Sequence, residues 1–244
     1  MYILAFKVMK IKWYNIIEST NSKLSSLKNS CPDKQVVAAY EQSAGKGQRG
    51  NVWESEPRKN LTFSILFYPT GIQAKDQFLI SQAVAVGICS YIRGKGIESE
   101  IKWPNDIYVG GKKICGILIE NAIEGPMLKS SIAGIGININ QRVFPGYLPN
   151  PTSLALLTDR TFRIEDELEE LLGYIFEEYD SIGSQTVEKY LDRLYLKDIH
   201  HIYTDTATGK RFDGCIRTVT PEGCLVVECE NREERTFAFK EIAY

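Results

Sequence analysis

QVVAAYEQSAGKGQRG, residues 35–50, joins an apolar run to a loop suited to anions. Residues 35–42 read as a strand, because β-branched and aromatic side chains fit a pleated, half-buried surface. That strand delivers the chain into Gly45-Lys46-Gly47-Gln48-Arg49-Gly50, where three glycines and two cations fall within six residues. Glycine takes positive φ without steric cost and exposes its N–H. Alternating glycines are therefore expected to curl the backbone into a concave nest of donors, to which Lys46 and Arg49 add full charges. The loop suits phosphate, yet it lacks the Gly-x4-Gly-Lys-Ser/Thr spacing of a P-loop and the strand-to-helix context of a dinucleotide fingerprint. A flexible surface turn has the same composition.

Residues 11–17 alternate loosely and read as an earlier strand. Glu18-Ser19-Thr20-Asn21-Ser22 then offers several N-cap side chains before a short helix toward Leu27. Residues 61–68 (LTFSILFY) form a third strand, ended by Pro69. Across residues 76–92, Phe78, Leu79, Ala83, Val86 and Tyr91 recur at helical spacing, and Gly94 and Gly96 close that helix. Ile107-Tyr108-Val109 and residues 114–120 flank Gly110-Gly111, a hairpin signal that puts Lys112 and Lys113 at its tip, near Lys102 and Asp106. Lysines at a turn are equally at home in solvent. Residues 127–140 supply another strand. Gly134 and Gly136 leave two side chains missing on one of its faces, as close approach of a ligand or a barrel corner requires.

Residues 163–182 form an amphipathic helix with Leu168, Leu171, Leu172, Ile175 and Phe176 on one side and a dense acidic face assigned to solvent. A second helical stretch reaches about Leu196. Beyond it, Thr208-Gly209-Lys210, Pro221-Glu222-Gly223 and Asn231-Arg232-Glu233 punctuate short β-type runs at the spacing of a small barrel. The domain boundary falls near Lys197, dividing residues 1–196 from residues 197–244.

A chain of 244 residues holds one large core, or a main domain with a small appendage. Hydrophobic residues make up 43%, and the net charge of -2 leaves no electrostatic footprint for DNA or RNA. The apolar start at residues 2–6 is too short for a signal-peptide core, and no later run approaches a membrane span. Cys31, Cys89, Cys115, Cys215, Cys224 and Cys229 form no C-x-x-C pair, and His200 and His201 are adjacent. These features read as reduced cytoplasmic thiols without a zinc site.

Glu18-Ser-Thr-Asn21, Glu41-Gln-x2-Gly-Lys-Gly-x-Arg-Gly50, Trp53, Lys102-Trp-Pro-Asn-Asp106, Gly111-Lys-Lys-Ile-Cys-Gly-Ile-Leu-Ile-Glu120 and Gly134-x-Gly-x-Asn138 together resemble biotin-protein ligase, in order and spacing, across about residues 11 to 140. The resemblance implies an α/β (α+β) fold, with a mixed sheet and packed helices in a biotin/lipoate-ligase-like catalytic domain. Residues 197–244 are similar to that family's small SH3-like barrel. It implies an activity in which biotin and ATP give biotinyl-5'-adenylate and pyrophosphate, magnesium assisting. Biotin then passes to a lysine of a biotin carboxyl carrier protein. About eighteen residues precede the first motif, so the form implied lacks the N-terminal DNA-binding domain of some members. No nucleic-acid or membrane partner is expected, nor a tightly bound metal, and monomer and homodimer both remain open.

By the same resemblance, Lys113 is catalytic, bridging the biotin carboxylate and the α-phosphate. Ser19, Thr20, Asn21 and Gln42 match the positions that hydrogen-bond the ureido ring. Gly45, Lys46, Gly47, Gln48 and Gly116 line the biotin site, where glycines let the flat bicycle lie on the sheet, and Trp53 closes over it. Lys46, Arg49, Gly50, Lys102 and Asn138 fall at the ATP or adenylate, and Asp106 helps to hold magnesium or orients a lysine. Elementary chemistry agrees, since a carboxylate and a triphosphate repel one another unless cations and N–H donors are in place first. The rival readings are a lipoate or octanoate ligase or transferase of the same fold, for which Cys115 is the one cysteine near the motifs, and a biotin-responsive binding module without turnover.

The family commonly has Gly-Arg-Gly-Arg-x-Gly where this chain has Gly45-Lys-Gly-Gln-Arg-Gly50, so two guanidinium positions have become Lys46 and Gln48. A neutral hydrogen bond replaces a charge-assisted one at Gln48. Gln48→Arg is therefore expected to slow release of preformed biotinyl-adenylate by roughly 2-fold to 30-fold, measured by stopped flow. Equal release rates, with Arg49→Ala then accelerating release from the wild-type loop, would place the missing role on Arg49.

Overall fold

The computed structural model describes residues 11–230 and 232–244; residues 2–6 and Asn231 lie outside the described residues. Strand β1 (Ile11–Ile17) has the mixed burial of an edge. Ser19 then caps helix α1 (Thr20–Leu27), its hydroxyl accepting the Ser22 N–H. The helix returns the chain so that β2 (Gln35–Gln42) lies parallel to β1, which a tight turn cannot do. β3 (Leu61–Phe67) is buried throughout and runs antiparallel to β2. Helix α2 (Phe78–Gly94) crosses to β4 (Glu100–Lys102), β5 (Asp106–Val109), β6 (Lys112–Glu124) and β7 (Met127–Ile137). The resulting mixed sheet has the order β1-β2-β3-β7-β6-β5-β4.

Side chains alternate across this sheet, and its two faces differ in character. Leu61, Phe63, Ile65 and Phe67 join Ala133, Ile135, Ile137, Cys115 and Ile117 in the main core. On the reverse face, α1 packs over β2, β3 and β7, and Leu24, Val37, Leu66 and Ile132 form a small second cluster. Thr62, Ser64, Gly116, Gly134 and Gly136 share this reverse face and leave it a trough.

Helices α3 (Leu154–Thr158), α4 (Ile164–Asp180) and α5 (Ser184–Leu191) complete the first unit, with α2 packed against α4 and α5. The acidic face of α4 is not wholly solvated, as the sequence had suggested. Glu167 and Glu178 are each only 7% exposed. Glu167 accepts from the Tyr91 hydroxyl and pairs with Lys95 at 2.6 Å; Glu178 pairs with Lys189 at 2.6 Å. Burial is tolerated because each carboxylate has a cation beside it.

Strands β8 (His200–Asp205), β9 (Arg211–Val219), β10 (Leu225–Cys229), β11 (Glu234–Phe237) and β12 (Ile242–Ala243) form an antiparallel sheet of order β11-β10-β9-β8-β12. It is not a loosely tethered appendage. The Trp103 indole N–H donates to Gly223 O at 2.9 Å, and its ring stacks on Phe239 at 5.3 Å. Tyr203, Ile216, Leu225 and Val227 belong to the same core as the seven-stranded sheet.

Helices α2 and α4 meet at Gly87, where a Cβ would come within 2.7 Å of the Ile175 backbone. Main chain cannot step aside as a flexible side chain can. Gly87→Ala is thus expected to destabilise the protein by about 1–3 kcal/mol, read as a lowered urea midpoint at unchanged slope.

Candidate functional site

Cross-strand register builds the trough. Thr62 and Gly116 flank Gly136, and Ser64 and Leu118 flank Gly134, so one strip of the sheet carries little side-chain volume. The Trp53 indole lies on that strip. A Cβ on Gly136 would come 2.2 Å from the ring, and one on Gly116 would come 3.2 Å from it. The indole N–H has no hydrogen-bond partner among the described residues. The remaining cavity, about 150 Å³, is lined by Ser19, Thr20, Asn21, Gln42, Lys46, Gly47, Gln48, Trp53, Asp106, Lys113, Gly116 and their neighbours. This is below the roughly 300 Å³ at which small-molecule sites begin, because Trp53 occupies part of the trough.

One end of the cavity is polar. Ser19, Thr20 and Asn21, each 3% exposed, sit at the start of α1 above Ser64. Gln42 Oε1 accepts the Thr20 N–H at 2.7 Å, and the Thr20 and Ser64 hydroxyls are 2.7 Å apart. Asn21 Oδ1 accepts from Ser64 at 2.5 Å, and its Nδ2 donates to Glu120 at 2.7 Å. The missing Gly134 side chain makes room for this amide, since a Cβ there would fall 2.2 Å from Asn21 Oδ1.

The other end is cationic. Gly110 and Gly111 both take positive φ (56° and 74°), as a two-residue hairpin turn of this kind demands. The register then slips between Ile107 and Tyr108, so Lys113 rather than Ile114 faces Tyr108. In an unbroken strand Lys113 and Gly116, three residues apart, would point to opposite faces. The bulge turns Lys113 onto the Gly116 face, re-aiming the side chain as bulges do. Its Nζ lies 2.7 Å from Asp106 Oδ1 and 5.8 Å from the Trp53 ring centroid.

The glycine loop differs from the expected nest of donors. Gly47 has φ -108°, and its N–H is spent on Asn51 O at 2.7 Å. The Trp53 N–H is spent on Gly45 O, and Lys46 bridges to Val52, so the loop folds back on itself. Close approach is what requires a glycine at 45, where a Cβ would come 2.5 Å from Trp53 O. Among the described residues of this loop, Gly50, at φ 87°, uses the left-handed region.

Four expected site residues, Lys102, Asn138, Gly45 and Gly50, stand away from the cavity wall. Lys102 donates to the Tyr108 hydroxyl at 3.2 Å and lies over the Tyr108 and Tyr244 rings, between the two sheets. Burial there pulls its pKa below the usual lysine value, against the opposing pull of Asp106. Asn138, 4% exposed, donates to Thr152 O at 2.9 Å and ties the end of β7 to the following loop. Gly50 turns the loop, Gly45 faces an adjoining cleft with Glu54 and Phe144, and the Arg49 side chain lies outside the described residues. Asn105, Asn51 and Glu120 were not singled out as site residues in the sequence, although Asn105 and Glu120 stand inside the motifs quoted above.

Magnesium finds one carboxylate in the cavity wall, Asp106, and Lys113 already engages it. Among the described residues no group of three or more His, Cys, Asp or Glu could hold a metal ion. Magnesium that travels with a nucleotide takes one or two carboxylates beside the phosphates, and Asp106 is the carboxylate present in this wall. Chemically, the cavity offers a hydrogen-bonding end, a glycine floor for a flat ring and a cation for an anion.

A family model described as the biotin/lipoate A/B protein ligase family matches residues 13–138. The chain is 36% identical over 132 residues to the bifunctional ligase/repressor BirA of Bacillus subtilis, a match covering 53% of this chain and 40% of that protein. It is 33% identical over 127 residues to the biotin--[acetyl-CoA-carboxylase] ligase of Paracoccus denitrificans, covering 50% of this chain and 51% of that one. The chain thus spans about half or less of the length of these relatives. The fold is that of the biotin protein ligase from Aquifex aeolicus solved with biotin and ATP, with TM-score 0.78 at 21% identity over 96% of this chain and 97% of the other.

Gly136→Ala is expected to expel the Trp53 indole from the trough. The emission change that accompanies this substitution should vanish in a Trp53→Phe background; if it persists there, the indole does not rest on Gly136.

Proposed function

Because the chain belongs to the biotin/lipoate A/B protein ligase family, we propose that it is a biotin-protein ligase. It joins biotin to ATP as biotinyl-5'-adenylate with release of pyrophosphate, then passes biotin to a lysine of a biotin carboxyl carrier protein. The observation that carries this reading is the cavity with a polar network at one end and Lys113 at the other, over a floor of Gly116 and Gly136. A ureido head brings a carbonyl oxygen and two N–H groups, and each must find a partner when buried. Ser19, Thr20, Asn21 and Gln42 supply partners of both kinds. Lys113 then stands ready for the tail carboxylate and the α-phosphate, whose mutual repulsion is the barrier to their joining.

In this mechanism the carboxylate oxygen attacks the α-phosphorus, the bond to the β-phosphate oxygen breaks, and pyrophosphate leaves. Lys113 stabilises the negative charge that gathers between the two groups, and Asp106 holds the ammonium on the Gly116 face. Trp53 excludes water from the mixed anhydride. The carrier lysine amine attacks the acyl carbon and AMP departs. We assign residues 197–244 to nucleotide or carrier engagement, through the contact that their sheet makes beside Lys102.

A lipoyl group presents a disulfide ring in place of the urea and offers the cavity no carbonyl oxygen to accept a hydrogen bond. An acyl-enzyme transferase would need a nucleophile. Cys115 is fully buried, and burial drives its thiol pKa well above the ordinary value, away from the reactive thiolate.

Incubation with biotin, ATP and a biotin carboxyl carrier domain, followed by an avidin blot, tests the reading; labelling with lipoate and none with biotin would overturn it. Lys113→Ala is expected to lower biotin-dependent pyrophosphate exchange by roughly 100-fold to 1000-fold while the melting temperature barely moves. A loss below about threefold would remove Lys113 from the catalytic role.

A further inference from the structure

The polar end of the cavity contains groups that could each be turned either way. An Asn or Gln amide can flip and a hydroxyl can rotate, so their order is set by whichever partners have no choice. Two such partners are present. The Thr20 backbone N–H can only donate, and it holds Gln42 Oε1 at 2.7 Å, which turns the Gln42 Nε2 away from Thr20 and toward Gly45. The Glu120 carboxylate can only accept, and it lies 2.7 Å from the Asn21 amide. Glu120 is exposed and stands outside the cavity wall.

We infer that Glu120 is a positioning residue that acts through Asn21 to fix which way the hydrogen bonds of the cavity run, making its polar end a site for a carbonyl oxygen such as that of a cyclic urea. The inference rests on the biotin reading above. With Glu120 accepting, the Asn21 nitrogen must face it, and Asn21 Oδ1 must face Ser64. That oxygen carries no proton, so the single Ser64 proton goes to it, at 2.5 Å. The Ser64 oxygen is then left to accept the Thr20 hydroxyl proton at 2.7 Å, in preference to the 3.2 Å contact between Thr20 and Gln42. One carboxylate thus orders three side chains in turn. It leaves the second Asn21 Nδ2 proton as a donor for the ligand. A neutral amide at position 120 could donate as well as accept. It would admit the flipped Asn21, in which the chain reverses and an acceptor faces the ligand carbonyl.

Biotin affinity is to be measured by calorimetry for the wild-type protein, Glu120→Gln, Asn21→Ala and the double variant, with melting temperatures for all four. Glu120→Gln is expected to weaken biotin by roughly 3-fold to 30-fold, the difference between an ordered charge-assisted acceptor and a neutral one. In pyrophosphate exchange the loss should fall on KM for biotin rather than on kcat. In the Asn21→Ala background the same change should weaken binding by less than about twofold, because nothing remains for Glu120 to orient. An equal loss in both backgrounds, or no loss in either while the wild-type protein binds biotin, overturns the inference alone. Failure of the wild-type protein to bind biotin overturns the ligand assignment and the inference together.

Discussion

The strip where Thr62, Gly136 and Gly116 lie side by side is the constraint on which the site depends. A sheet with one buried face and one half-covered face normally fills both with side chains. Here the reverse face is left at backbone height over two neighbouring strands. The gap admits flat groups at van der Waals distance, and the Trp53 indole takes that place. Gly134, two residues earlier on the same face, performs a separate service by admitting the Asn21 amide. The floor of the cavity and its polar end are therefore both shaped by absent side chains on one strand, β7. The apolar residues alternating with these glycines, Ala133, Ile135 and Ile137, anchor that strand in the main core.

Charge is arranged for geometry more than for stability. The Lys113 and Asp106 side chains are 31% and 21% exposed, and pairs with such access to water contribute at most about 1 kcal/mol. Their pairing instead holds an ammonium at the edge of the glycine floor, where the β-bulge has aimed it. Lys95 with Glu167 and Lys189 with Glu178 do a different task behind the sheet, neutralising carboxylates that α4 carries into contact with α2 and α5. The two kinds of pair are told apart by what lies beside them, a cavity in one case and packed helices in the other.

The second sheet extends this economy of position. Trp103 is 2% exposed because Gly223 and Phe239 cover it, and Lys102 beside it is enclosed by Tyr108 and Tyr244. Removing residues 197–244 would open the core at Trp103 and Phe78 as well as detach five strands. The lysine expected at the phosphates is held in this seam, one strand beyond Asp106, so the state of the seam bears on where its charge can reach.

Much of the architecture is legible in the amino-acid sequence. Alternation and β-branched runs mark residues 11–17, 35–42 and 61–68, helical spacing marks α2 and α4, and Gly110-Gly111 marks the hairpin. These signals are local, since each depends on which side chains recur along a few turns or pleats. The motif order also brings Ser19, Thr20, Asn21, Gln42 and Lys113 to notice, and the structure gathers them round one cavity. What the sequence could not disclose is non-local. The register slip that puts Lys113 on the Gly116 face is settled by how β5 and β6 pair, and no residue near it announces a bulge. The glycines of the loop look like a source of free N–H donors, but the Asn51 carbonyl consumes that of Gly47, and the Gly45 carbonyl takes the Trp53 N–H as the loop folds back. The acids of α4 look solvated, but two of them meet lysines from segments distant in sequence or beyond the helix end. Glu120 reads as the last residue of an apolar motif, and its partner Asn21 lies 99 residues away. Local pattern determined the elements and the chemical types available; only packing decided which face each side chain took and which donors were left for a ligand.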